Sequence, residues 1–126
     1  MNKNVNTNAL FKKAEESIAV AKRAMQGKES LPWVACYHSQ QAVEQFLRVF
    51  LASHGVSVSS RSLLGLNHEC TGIDSDFKSF DATCDFLAFG GSDIRYPAHS
   101  RLSKTDAKKA IRAAEQIQQF VREKLT

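Results

Sequence analysis

A chain of 126 residues, 43% hydrophobic and 24% charged, has the composition of an ordinary globular domain and is too apolar to stay disordered. Six Gly and two Pro exclude collagen-like and linker-like sequence, and no apolar run approaches the ~20 residues that a membrane-crossing helix needs. Seventeen basic residues against thirteen acidic ones leave a formal charge of +4, too mild by itself to name a partner.

The spacing of apolar residues is helical almost throughout. Leu10, Phe11, Ala14, Ile18, Ala21 and Met25 recur three or four apart, which predicts a first amphipathic helix. Asn6, Thr7 and Asn8 offer N-caps and Gly27 a stop; residues 1–7 are expected to be a flexible N-terminus. Ser30 is predicted to cap a second helix, with Pro32 in its first turn, where a missing N–H costs nothing. The stripe of that helix is Trp33, Cys36, Tyr37, Gln40, Val43, Leu47, Phe50 and Leu51, and it ends at His54 with Gly55 as the residue just past the cap. About 23 residues at 1.5 Å each reach roughly 35 Å, so this helix must run the length of the domain.

The serine-rich stretch 56–62 reads as a loop. Leu63, Leu64 and Leu66 suggest one or two helical turns, broken at Gly72 and Asp74. A third helix is predicted from Asp74 or Ser75 to Ala88, with Phe77, Phe80, Cys84 and Leu87 on one side and Gly90-Gly91 as its stop. Pro97 disfavours helix in the residue before it, so the stretch 92–102 is predicted to be an ordered loop. Ser103 or Thr105 caps the last helix, and Ser103 with Asp106 three residues on has the form of a capping box. Ala107, Ala110, Ile111, Ala114, Ile117, Val121 and Leu125 form its stripe, whose small residues permit a close neighbour. No strand and no internal repeat are legible. The expected fold is all-α: an up-and-down four-helix bundle with an additional short helix, one domain over residues 1–126, with sequential helices antiparallel. Phe46, Phe86 and Phe89 fall off the main stripes and would be available to a second copy of the chain.

Three Cys at loose spacing, with no signal-like N-terminus, predict an intracellular chain with reduced thiols. His54, His68, Cys70 and Cys84 lack the paired spacing of a metal site, and no phosphate loop or G-x-S-x-G is present. No metal and no cofactor are therefore expected. Three features carry chemistry. One is Gln40 on an otherwise apolar stripe, where an amide must find partners or cost about 1–3 kcal/mol. Another is the pair Arg95 and His99 in the late loop. The third is the basic run from Arg95 to Arg112, where Arg95, Arg101, Lys104, Lys108, Lys109 and Arg112 face the single acid Asp106. Lys104, Lys108 and Arg112 are four apart and lie toward one face of the last helix, a patch that attracts phosphates or a solvated surface. Histidine exchanges a proton near neutral pH, and arginine stabilises a pentavalent phosphate. Together they suffice for metal-free RNA cleavage, in which a base frees the 2′-hydroxyl to attack the adjacent phosphate.

The helix from Trp33 to Leu47, with H-x-Q-Q-A-x-E running from His38 to Glu44, and the later triplet Arg95-Tyr96-Pro97 resemble the HEPN family. The similarity covers about Leu10 to Leu125. It implies a helical bundle, commonly a homodimer with a cleft near its axis, in a cytoplasmic prokaryotic protein. It also implies frequent pairing with a nucleotidyltransferase in toxin–antitoxin or defence modules. Active family toxins are metal-independent endoribonucleases that use an Arg and a His a few positions beyond it. Arg95 matches that Arg, but only three residues separate it from His99, and Tyr96 follows where a polar residue is usual. The expected function is accordingly a binding module for nucleotide, RNA or a nucleotidyltransferase partner, with His38, Gln41, Arg95, Tyr96, Arg101, Lys104 and Lys108 as contact residues. The alternative is an endoribonuclease with Arg95 and His99 as the catalytic pair. The phenolic oxygen of Tyr96 is a further candidate, as a site for nucleotidylation by a partner.

Overall fold

In the computed structural model, which describes residues 7–89 and 102–126, the chain forms α1 (Thr7–Ala24), α2 (Pro32–Ser53), α3 (Leu63–Ile73), a 3-10 helix (Ser75–Phe80), α4 (Asp81–Leu87) and α5 (Lys104–Leu125). The described residues include no strand, so the all-α bundle expected from the periodicity is the fold observed. Among them no helix is long and apolar enough to cross a membrane. Gly27 and Gly55 both adopt positive φ, +88° and +69°, and close the first two helices as their positions predict.

Helix α2 is the spine. Ten of its residues are buried, more than one stripe can hold. The reason is that it is packed on two sides. On one side, Phe46 meets the ring edge of Phe11 from α1 at 5.0 Å between centroids. On the other, Phe50 lies 4.5 Å from Phe77, which in turn meets Phe120 of α5 at 4.9 Å. Phe46 is therefore fully buried, and its assignment to an exposed pairing surface is corrected: a one-stripe reading leaves out the face that α1 covers. Phe86 and Phe89 are half-buried and pack against the same core.

The directions of the helices follow from their contacts. The Ala24 carbonyl accepts from the Leu31 amide at 2.7 Å, folding α1 back antiparallel to α2. Arg122 to Glu15 at 2.8 Å, and Lys22 with Glu115, set α1 antiparallel to α5 as well. Helices α2 and α5 run the same way, with Cys36 beside Asp106 at one end and Phe50, Phe77 and Phe120 together at the other. Their parallel pairing is possible because α3 and α4 intervene in the chain. Ala107, Ala110 and Ala114 are fully buried, the close approach that the small residues predict.

Local details differ from the sequence reading in three places. The α2 N-cap is Leu31, with no side-chain bond, so Ser30 does not cap; Pro32 at the start and the Leu31–Ala24 backbone bond close the turn instead. The short leucine-rich piece is an eleven-residue helix that continues through Gly72 to a cap at Asp74. Tertiary bonds hold it: the Cys70 thiol donates to the Leu47 carbonyl, and the Asn67 amide donates to the Phe77 carbonyl at 2.9 Å and to Asp81 at 2.8 Å. A Cβ at Gly65 would sit 1.8 Å from Ser60 Oγ, so a larger residue there would displace the Ser60 side chain. The third predicted helix divides into the 3-10 helix and α4; Asp74 accepts from the Asp76 amide at 3.0 Å and tightens its first turn. At α5 the capping box forms as predicted, with Ser103 and Asp106 bonded reciprocally at 2.9 and 3.0 Å.

Phe46→Ala is expected to lower unfolding stability by about 3–5 kcal/mol in a denaturant titration, as loss of a buried ring does. A change below about 1 kcal/mol would contradict the burial assigned to it.

Candidate nucleic-acid interface

Helix α4 has only two turns and depends on its neighbours for its position. Gln40 Nε2 donates to the Leu87 carbonyl at 2.8 Å. That carbonyl belongs to the last turn of α4, where no partner exists within the helix. The polar residue on the apolar stripe of α2 is thus a satisfied amide that ties α4 to the spine. At the other end, Phe77 and Phe80 both meet the Phe120 ring at 4.9 Å. Lys124 adds ion pairs to Asp74 at 2.8 Å and Asp76 at 2.7 Å, and its hydrogen bond holds the Asp74 carboxyl below the usual range.

So anchored, α4 lies antiparallel to α5 and leaves a groove of ≈ 350 Å³ between them. Ala82, Thr83 and Phe86 form one wall; Lys109, Arg112, Ala113 and Gln116 form the other. The alanines supply the space, because neither wall carries bulk where they face the opening. Lys109 Nζ sits 4.2 Å from the centroid of the Phe86 ring, a cation–π contact. Phe89 meets Phe86 edge-on at 5.4 Å and holds φ +50°, a left-handed conformation that costs a non-glycine residue energy. Lys109 and Arg112, like Lys104 and Lys108, pair with no carboxylate among the described residues. The groove therefore presents two cations and an aromatic ring to one small volume.

The residues nominated from sequence fall in different places. Lys104 and Lys108 are exposed on the first turns of α5. Steps of four residues drift by about 40° around a helix of 3.6 residues per turn. Over two steps the series turns from Lys104, on the flank facing α1, to Arg112, in the groove. His38 and Gln41 are half-buried on α2 and do not line the groove. His38 lies two turns before Gln45, whose Oε1 accepts from Ser17 of α1 at 2.9 Å, and so belongs to the α1 flank. Arg95, Tyr96, His99 and Arg101 lie outside the described residues. Of the groove residues, Lys109 and Arg112 belong to the basic run read from the sequence, whereas Thr83, Phe86 and Gln116 were not assigned to a ligand. Lys109 stands one position outside the four-residue series, and only its place opposite Phe86 gives it a role.

The titrating groups leave little other chemistry. Burial pushes the thiols of Cys36, Cys70 and Cys84 up to about 12, so these free cysteines are packing groups and not nucleophiles near neutral pH. No cluster able to hold a metal ion occurs among the described residues. Burial also lowers His38 from the ordinary value of 6.5, so it is neutral at physiological pH.

The fold is a small all-α bundle in which α4 and α5 flank a groove lined by Lys109, Arg112 and Phe86. The HEPN domain family matches residues 7–124, nearly the whole chain, and the chain belongs to that family. No curated protein and no solved structure matched it.

Because folded His38 binds protons less readily than the unfolded chain, stability is expected to fall as pH drops through 6.5 and to level off below the folded value. Denaturant titrations across this window should show a shallower slope in His38→Gln. An identical slope in both proteins would remove His38 as its source.

Proposed function

We propose that this HEPN protein is an RNA-binding module that holds the phosphate backbone along the groove between α4 and α5. The observation that carries the reading is the pair Lys109 and Arg112 on the α5 wall of a ≈ 350 Å³ opening that also holds the Phe86 ring. Phosphate oxygens are the ligands that such cations accept, and arginine can grip two of them at once. Lys108, exposed one turn before Arg112, adds positive charge near the groove, whereas Lys104 lies on the other flank. A free nucleotide would use the same two side chains and is the smaller ligand of the same class. A homodimer and a nucleotidyltransferase partner, both implied by the family resemblance, belong to this proposal as the assembly in which the groove works.

Endoribonuclease activity by Arg95 and His99 is the second reading. It is favoured by where the described chain leaves and returns. Phe89 packs on Phe86 at one wall of the groove, and Leu102 enters α5 two turns before Lys109. The intervening residues 90–101, which lie outside the described residues, carry both Arg95 and His99.

One experiment addresses both. A single-stranded RNA titrated in chelator at rising salt should bind wild-type protein, and each phosphate contact contributes about 0.7 to the slope of log affinity on log salt. Lys109→Ala with Arg112→Ala is expected to weaken binding and to reduce that slope by about 1.4. Unchanged affinity and slope in the double variant would contradict the groove reading. Recovered RNA that stays intact supports a binding module. Cleavage that disappears in both Arg95→Ala and His99→Ala selects the nuclease.

A further inference from the structure

We infer that Phe86 is a stacking platform for an unpaired base, which makes the groove selective for single-stranded RNA over a duplex. The inference rests on the RNA reading and specifies the form of RNA that the site takes. Phe86 departs from the apolar stripe of α4 and turns its ring into the groove, where it stays half-buried. Phe89 packs edge-on against that ring at 5.4 Å between centroids. Lys109 Nζ stands over the ring at 4.2 Å. The lysine stem is flexible and its ammonium is a point charge. A phosphate beside Arg112 draws that ammonium aside and leaves the ring to a base.

A nucleotide carries its charge and its flat face only a few bonds apart. The groove offers a cation and an aromatic face with the same closeness. Ala82 and Ala113 leave room beside the ring, while Thr83 and Gln116 bring a hydroxyl and an amide to the base edges. At ≈ 350 Å³ the opening lies at the low end of small-molecule sites and suits one nucleotide unit. In a duplex both faces of each base are already stacked, so a duplex reaches the cations but not the ring.

The test compares two ligands of about eight units each, an oligouridylate and an abasic ribose phosphate of equal length, at low salt. Wild-type protein is expected to bind the oligouridylate about fivefold or more tightly than the abasic strand, the lower end of what one stacked base supplies. Phe86→Leu should abolish that ratio and leave the abasic affinity in place, while Phe86→Tyr should preserve it. Ala82→Leu, at an exposed position of α4, fills the space beside the ring and should lower the same ratio toward one; it carries the test should Phe86→Leu not fold. An unchanged ratio in Phe86→Leu and Ala82→Leu, or an equal loss for both ligands, overturns the platform. So does a duplex bound as tightly as the single strand, with the RNA reading intact. Failure of wild-type protein to bind either ligand overturns the RNA reading itself, and the platform with it.

Discussion

The hydrogen bond from Gln40 to the last carbonyl of α4 is the constraint on which the groove depends. Helix α4 is too short to be stable alone, since isolated helices below ~12–15 residues are marginal in water. It buries Cys84 and Leu87 but faces α5 with Ala82 and Thr83, so apolar packing alone does not fix its end. The amide of Gln40 supplies the direction at 2.8 Å. Such a bond contributes about 1 kcal/mol net, yet leaving the buried partner unmade costs more, which is why the register is well defined. The opposite end is set by the Phe77, Phe80 and Phe120 cluster and by Lys124. Between these two anchors the alanines on either side keep the space open.

Much of the fold was legible because α1, α2 and α5 have long, regular apolar patterns with ordinary stops. The Ser103–Asp106 box and the glycines at 27 and 55 mark boundaries by local chemistry alone, and local chemistry is what sequence displays. The region from Leu63 to Leu87 was harder. Its helices are short, and their limits are set by Asn67, Cys70 and Asp74 reaching across to other segments. Periodicity over seven or eleven residues does not carry those contacts. Phe46 shows the same limit in the core: whether a residue off the stripe is exposed depends on a second neighbour that only the tertiary structure names.

The candidate site was legible as a class and not as a set of side chains. The basic run showed where positive charge would gather, and Gln40 showed that something polar met the spine. Neither identified Phe86 as the partner of Lys109, because that contact joins α4 to α5 across residues 90–101. Counting by fours grouped Lys104 with Arg112, whereas the helical drift sends them to different flanks. Membership of the HEPN family fixes the scaffold and leaves the chemistry to the residues that this chain places on it.

The most direct measurement is a map of backbone amide resonances in isotope-labelled protein as an oligouridylate is added. Shifts are expected to concentrate at Ala82, Thr83, Phe86, Lys109, Arg112 and Gln116, with the α1 flank of α2 around His38 and Gln41 unmoved. Saturable shifts centred on His38 and Gln41, with the α4 and α5 walls silent, would contradict the groove reading.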